Sequence, residues 1–401
     1  MNINIEVFDK EILENIITCL HYKMDKVIFF GQKDVMTEEA KALTRQALQE
    51  NCDITDVLFE EMSMKDIDRV HSAITKVVER EVAQGGKCFF DVTGGGDMVL
   101  VAMGMYSATH NIPMHRFDVD DGQMRVINTD AAHIDDCVES REIKLTIEQL
   151  VKLQGGVVAM DMQKGFKDGL ADPNLRKDIY TLWQVAAEDM AKWSEFSAVL
   201  KDTKTSKFNK FEPDAVPVEW IEREKVSSTI RNQKKITTET VFTDYLERLR
   251  ETGCIDKLVV HRDWISFSYK NNHIRSWMLD AGSLLELHTY FDRLDSGLYD
   301  ECKIGTHLKW GKDASDEGYV VNNEIDVLLL KGYVMTFISC KAGDPDQTAL
   351  YELDTVASRF GGKYARRELV TAGKMEFHHG RRAEEMGIIV VEVQSCKGAL
   401  V

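Results

Sequence analysis

The chain has 401 residues, with 50 Lys and Arg against 67 Asp and Glu and a formal net charge of −17. That length exceeds what one core usually serves, so two or three domains are expected. The acidic balance excludes a constitutive, nonspecific nucleic-acid binder, whose domains carry a basic excess. The acid sits at the front, where residues 1–150 hold 15 Lys and Arg against 28 Asp and Glu, so any contact with DNA or RNA must come from local basic patches. The start, MNINIEVFDKEILENIITCL, has acids where a signal peptide needs bases, and the longest apolar run, DVLLLKGYVMTFISC, is short and carries Lys331. A soluble, cytoplasmic protein with no membrane partner is expected. The eight cysteines form no C-x-x-C pair, which points to buried, reduced thiols rather than a disulfide framework or structural zinc.

In chain order, KVIFFG, DITDVLFEEM, GKCFFDVTGG and MHRFDV read as strands with helical patterns between them, the order of a parallel, doubly wound α/β sheet. DVDDGQMRVI adds a hairpin on the Asp121-Gly122 turn, and a first domain is expected over residues 1–145. A middle, mostly helical module over 146–271 opens with the short helix LTIEQLVKLQG and the long helix DIYTLWQVAAEDMAKWSEFSAVL. TKTSKFNKFEPDAVPVEW reads as an exposed loop, and TDYLERLRETGCIDKLVVHRDWISFSY as helix, turn and two strands, the order of a small winged-helix unit. A third module over 272–401 reads as helix, strand, strand, helix, strand: SWMLDAGSLLELHTYFDRL, NNEIDVLLLKG, YVMTFISCKAG, TALYELDTVASRFGG and MGIIVVEV. No internal repeat or low-complexity tract interrupts this order.

Two places carry chemistry. In DVTGGGD, Thr93, Gly94, Gly95 and Gly96 lie where a strand runs into a helix, a position at which unpaired N–H groups and the helix dipole favour an anion. Gly31, Gln32 and Lys33 end the first strand read, at the same edge of the sheet, and the pair of loops favours an anionic ligand. The spacing fits neither G-x-G-x-x-G nor G-x-x-x-x-G-K-[ST]. Residues 1–145 resemble the CRISPR-associated Rossmann fold (CARF) sensor domains in this S/T-G-G turn and in layout. The resemblance implies a homodimer that binds a cyclic oligoadenylate, cyclic tetra-adenylate above all, across its two-fold axis. Asp97 departs from the Lys or Arg found after the turn in many members, leaving the backbone and Lys33 to supply positive potential.

The second place lies in the last module. Glu286 sits in the apolar helix GSLLELHTYF, Asp326 in NNEIDVLLL and Lys341 in FISCKAG. Carboxylates suit Mg²⁺ or Mn²⁺, and a cation suits the attacking water of phosphodiester hydrolysis. Glu286, Asp326 and the Cys340 carbonyl are the candidate metal ligands, and Lys341 orients or activates water. The order resembles the PD-(D/E)XK, or restriction-endonuclease-like, nuclease core over about 275–395. Ser339 stands where the second acid of (D/E)-x-Lys would be, which implies a single, weakly held metal. Glu324 shares the strand face of Asp326 by the two-residue period and is the candidate compensating acid, and Glu352 is a further supporting residue. Arg359, Lys363, Arg366 and Arg367, followed by Arg381 and Arg382, form the candidate nucleic-acid track. His378 and His379 have no partner at metal spacing and read as backbone or phosphate contacts.

Together the modules resemble the ancillary CARF nucleases of type III CRISPR systems, metal-dependent endonucleases acting on RNA or DNA. Two other readings are a ligand-responsive nucleic-acid-binding regulator with a degenerate core, and a repair-type nuclease that needs no messenger.

Overall fold

A computed structural model describes residues 1–63, 66–128, 130–159, 173–205, 217–232, 237–310 and 322–393. The first sheet has the order β3-β2-β1-β4-β5-β6, from β1 (Asn2–Val7), β2 (Lys26–Gly31), β3 (Asp56–Glu61), β4 (Lys87–Asp91), β5 (Met114–Asp118) and β6 (Gln123–Val126). Its first five strands are parallel, and β6 returns antiparallel on β5, as the Asp121-Gly122 turn predicts. Helices α2 (Glu38–Cys52), α3 (Ile67–Ala83) and α4 (Asp97–His110) make the crossovers, and the short α1 (Ile17–His21) follows β1.

The sequence reading starts this sheet one strand late. NINIEV is the central strand β1, paired in parallel with both β2 and β4. It escapes a hydrophobic pattern because Asn4 and Glu6 are buried too, at 0% and 3% exposure, with the Asn4 amide donating to Glu6 Oε1 at 3.0 Å. Burial, reinforced by Asp91, pushes the Glu6 carboxyl well up, so the polar row is held by pairing and neutralisation rather than by water.

After α5 (Ile134–Cys137) and α6 (Ile147–Leu153) comes β7 (Gly156–Val158). The expected boundary at 146 assigns this strand to the middle module, whereas β7 pairs antiparallel with β11 (Glu301–Trp310) at Val158–Leu308. It thereby forms the edge of the last sheet, ordered β15-β14-β13-β12-β11-β7. The middle module leaves this sheet after β7 and returns to it at β11.

Its expected long helix is two, α7 (Pro173–Ala186) and α8 (Met190–Thr203), divided where Asp189 Oδ1 accepts the Lys192 amide at 3.1 Å and caps α8. Of the expected loop TKTSKFNKFEPDAVPVEW, residues 206–216 lie outside the described residues, and its end enters β8 (Val218–Glu222). Then come α9 (Arg223–Asn232), α10 (Glu239–Glu251), β9 (Ile255–Val260) and β10 (Trp264–Tyr269), with the strands in order β8-β10-β9.

The first helix of the last module is divided in the same way. Asp280 takes the amides of Gly282 and Ser283, separating α11 (Asn272–Met278) from α12 (Ala281–Asp295). The sheet continues through β12 (Asn322–Lys331) and β13 (Val334–Lys341). It is completed by α13 (Gln347–Gly361), β14 (Arg366–Thr371), α14 (Phe377–Glu385) and β15 (Ile388–Glu392). Strands β11 and β14 and helix α14 are additions to the expected pattern. One apolar cluster runs from Phe8 and Leu13 through Leu150 to Phe337, Leu353 and Phe360, joining the first and last sheets in a common core. A second joins the middle helices to α12 and the other face of the last sheet. No described helix is long and apolar enough to cross a membrane. All seven described cysteines are free, five of them buried.

Candidate functional site

The strand order reverses between β1 and β4, and in doubly wound sheets ligands bind beyond the strand ends at that point. The Thr93–Gly96 turn ends β4 and the Gly31–Lys33 loop ends β2, so the two flank β1 and its acidic continuation, Asp9 to Glu14. What approaches the glycines is first of all this loop. A Cβ on Gly95, at φ +105°, would stand 2.3 Å from Val7 Cβ, and one on Gly94 would stand 2.7 Å from Glu14 Oε2. The Gly95 amide donates to Asp9 Oδ2 at 3.2 Å.

Thr93 is buried, with its hydroxyl accepting the Phe117 amide at 2.8 Å and its own amide donating to Asp91 Oδ1. It therefore ties β4 to β5 rather than standing in the mouth of the turn. Beneath it, Thr18 donates to Asp91 Oδ2 at 2.6 Å and lies 3.2 Å from His115 Nε2. Gly96 is the position open to an external ligand: nothing lies within 4 Å of a Cβ there, and it caps α4. On the β2 side, Gly31 packs on Met36 and the Gln32 carbonyl accepts two turn amides, while Lys33 is exposed. Asp97 is exposed in the first turn of α4.

The carboxylate site forms where β12 and β13 separate. Their ladder reaches Val327–Ile338 and would next pair Asp326 with Ser339 and then Ile325 with Cys340. Instead, Asp326 Oδ2 accepts the Cys340 amide at 2.6 Å and the Ser339 hydroxyl at 3.3 Å. Ile325 and Val327 join the cores on opposite faces of the sheet, so side-chain alternation breaks at Asp326. Gly305, opposite it on β11, adopts φ +55° and is missing from the regular pairing. The carboxylate thus lies in the gap between strands. Because N–H and C=O of one strand residue point the same way, the Cys340 carbonyl faces this gap too.

Burial raises the Asp326 carboxyl above its usual range, opposed by the Cys340 amide, the Lys341 charge and the Ser339 hydroxyl. On α12, Thr289 accepts a long contact of 3.7 Å from the Cys340 thiol, and Glu286 lies one turn earlier on the same face. The Glu286 charge is felt at Cys340, whose thiol is driven well up chiefly by burial and then by Asp326. Asp326, Ser339 and Cys340 are therefore in direct contact, with Lys341 next along β13 and Glu286 on the face of α12 that carries Thr289. Glu324 is exposed, 3.9 Å from the buried His307, a neighbour that sequence reading missed. Glu352 is on α13 and lines a separate groove with Asn323 and Tyr351.

The expected nucleic-acid track does not form one free surface. Arg359 stacks over Trp310 at 3.6 Å, and Lys363 pairs with Glu14 at 2.6 Å. Arg366 lies 3.5 Å from Asp120, and Arg367 lies 2.8 Å from Asp354. Arg366 and Arg367 line a cleft of about 490 Å³ between the first and last domains. Arg381 is exposed, and Arg382 contacts Glu385 and the Tyr351 hydroxyl. His378 and His379 lie in the first turn of α14.

The fold is similar to that of protein VC1899 from Vibrio cholerae, with 15% identity, a TM-score of 0.65, and 99% of this chain and 96% of that chain covered. It is also similar to Can2 from Sulfobacillus thermosulfidooxidans in complex with cyclic tetra-adenylate, with 15% identity, a TM-score of 0.62 and coverage of 98% and 96%. Neither a family model nor a curated protein sequence matches the chain.

Two outcomes are expected. Gly95→Ala should cost about 2 kcal/mol or more, because it combines a strained backbone with a clash, whereas Gly96→Ala should stay within about 0.5 kcal/mol. Urea midpoints measure both, and equal losses would contradict the packing described. For Asp326, a raised folded pKa means that the ionised carboxylate costs stability above the unfolded value of about 3.9, a cost that disappears in acid. Asp326→Asn should therefore raise the melting temperature near pH 7 in chelator and confer no such gain near pH 3.

Proposed function

We propose that the protein is a homodimeric CARF-type effector of type III CRISPR antiviral defence: an endonuclease activated by a cyclic oligoadenylate, cyclic tetra-adenylate first, that cuts RNA or DNA with Mg²⁺ or Mn²⁺. The observation that carries this reading is the convergence of Asp326, Lys341, the Cys340 backbone and Glu286 at the opening between β12 and β13. The donor set is oxygen, as hard cations require. Among the described residues, the Cys340 amide and the Ser339 hydroxyl both donate to Asp326 Oδ2. Glu286, Asp326 and the Cys340 carbonyl would hold the ion, which when bound supplies Lewis acidity and a water of lowered pKa. Lys341 would orient that water. Ser339 contributes a hydroxyl in place of a second acid, which supports one metal rather than two.

The ligand end of the proposal rests on the open Gly96 turn and exposed Lys33 at the β1/β4 reversal, together with the fold shared with Can2, which is bound to cyclic tetra-adenylate. The dimer is supported by α4. Its outer face exposes Met98, Val101 and Met105 at 41%, 53% and 52%, an apolar stripe at helical spacing. A two-fold pairing of such stripes would bring two glycine turns together beside one symmetric ligand.

The test is incubation with labelled RNA, single-stranded DNA and plasmid, with and without cyclic tetra-adenylate and Mn²⁺. Cleavage should require both. Asp326→Ala and Lys341→Ala should each abolish it and leave messenger affinity unchanged by calorimetry. Lys33→Ala should weaken messenger binding roughly ten- to a hundredfold, the worth of a charge-assisted contact. Full cleavage by Asp326→Ala would overturn the nuclease reading. Messenger binding without cleavage would favour the noncatalytic regulator, to which the serine at position 339 lends support.

A further inference from the structure

The fold gives His378 and His379 a partner that their sequence spacing does not advertise. Glu376 precedes α14, and one donor atom from each of the three residues lies within 4.8 Å of the other two. His378 Nε2 and Glu376 Oε2 are 3.3 Å apart, close to the ~3.3–3.5 Å that separates two donors of a tetrahedral ion with bonds of ~2.0–2.2 Å. The imidazole centroids of His378 and His379 are 4.1 Å apart. An ion pair would account for His378 and Glu376 but not for the third donor. The His379 ring also carries a buried Nδ1 with no hydrogen-bond partner, so this imidazole is not committed to a structural bond through that atom.

The backbone that presents these groups is anchored on both sides. Thr371 Oγ1 donates to the Gly343 carbonyl at 3.1 Å, the Lys374 amide to Asp344 Oδ1 at 2.9 Å and the Met375 amide to Glu392 Oε1 at 3.2 Å. The Gly380 amide closes on the Glu376 carbonyl at 2.9 Å. Donors mounted on a fixed turn lose little freedom when an ion arrives. The positive end of the α14 dipole opposes a cation here, and the Glu376 carboxylate offsets it.

We propose that Glu376, His378 and His379 form a site for a borderline divalent ion, zinc above all. Two imidazoles and one carboxylate suit Zn²⁺, Co²⁺ or Ni²⁺ over the hard Mg²⁺. Three protein ligands leave a fourth position for water or an external oxygen. The site lies at the same strand ends as Lys341, since Ala372, at the end of β14, donates its amide to the Lys341 carbonyl at 2.9 Å. Its donor set is separate from that of Asp326.

The experiment uses full-length Asp326→Asn protein, which silences the carboxylate centre, stripped with chelator and titrated with Zn²⁺ against a competing dye. One zinc per chain is expected, unaffected by a large excess of Mg²⁺, and Co²⁺ should give visible absorption bands of a nitrogen- and oxygen-ligated ion. His379→Gln and Glu376→Gln should each weaken zinc more than roughly tenfold, a loss that even an outer-shell partner can cause. Arg381→Ala, on the same turn, should leave zinc unchanged, and circular dichroism checks that each variant is folded. Zinc binding that survives His378→Gln/His379→Gln unchanged, or no zinc bound by the parent protein, would overturn the assignment.

Discussion

Glu14 is the contact on which the arrangement of the two outer domains depends. Its side chain is 1% exposed, it stands against Gly94 of the glycine turn, and its Oε1 receives the Lys363 ammonium at 2.6 Å and the Tyr364 hydroxyl. A carboxylate so deep in the protein is tolerable only with such donors, and removing one would strand a buried charge. Glu11 repeats the pattern nearby, accepting the Lys363 amide at 2.9 Å and the Gln154 side chain. Burial raises its carboxyl, and these two bonds pull it back. The loop after β1 therefore touches the glycine turn on one side and the 3₁₀ turn Gly362–Tyr364, which feeds β14, on the other. Glu14 by itself thus touches both the glycine turn and residues next to the last sheet.

The same contact explains much of what sequence could and could not disclose. The strand-helix alternation of the first domain was legible because KVIFFG and KCFFD are apolar runs buried on both faces. The central strand was not, because half of NINIEV is polar and its burial depends on the Asn4–Glu6 hydrogen bond and on β2 and β4 closing over it from elsewhere in the chain. Without β1, the three glycines pointed to an external ligand, although two of the three are required by Val7 and Glu14. A single sequence pattern does not distinguish a backbone that must admit a phosphate from one that must admit a neighbouring loop.

In the last domain the carboxylate, the lysine and their order were legible, since a buried acid in an apolar strand stands out in any reading. The break in alternation at Asp326 was not, because it depends on Gly305 two strands' length away in sequence. The basic residues misled for a related reason. Charge clusters in sequence as though facing solvent, yet RRELVT is the interior parallel strand β14, with Leu369 and Val370 buried. Its arginines leave the sheet at one end to meet Asp120 and Asp354. Two missed helix breaks, at Asp189 and Asp280, were in principle readable as capping aspartates within apolar periodicity.

The position of β7 sets the order in which the protein can be built. Val158 emerges from the ribosome long before its partner Leu308, and at ~5–20 residues per second the delay is on the order of ten seconds or more. During that interval an apolar strand has no ladder to join, and only α6 and the already completed first domain are at hand to shelter it, through Leu150, Val151 and Leu153 in the shared core. A first domain that folded early would thus shelter the edge of the last one, and the middle module is synthesised before the sheet from which it departs is complete.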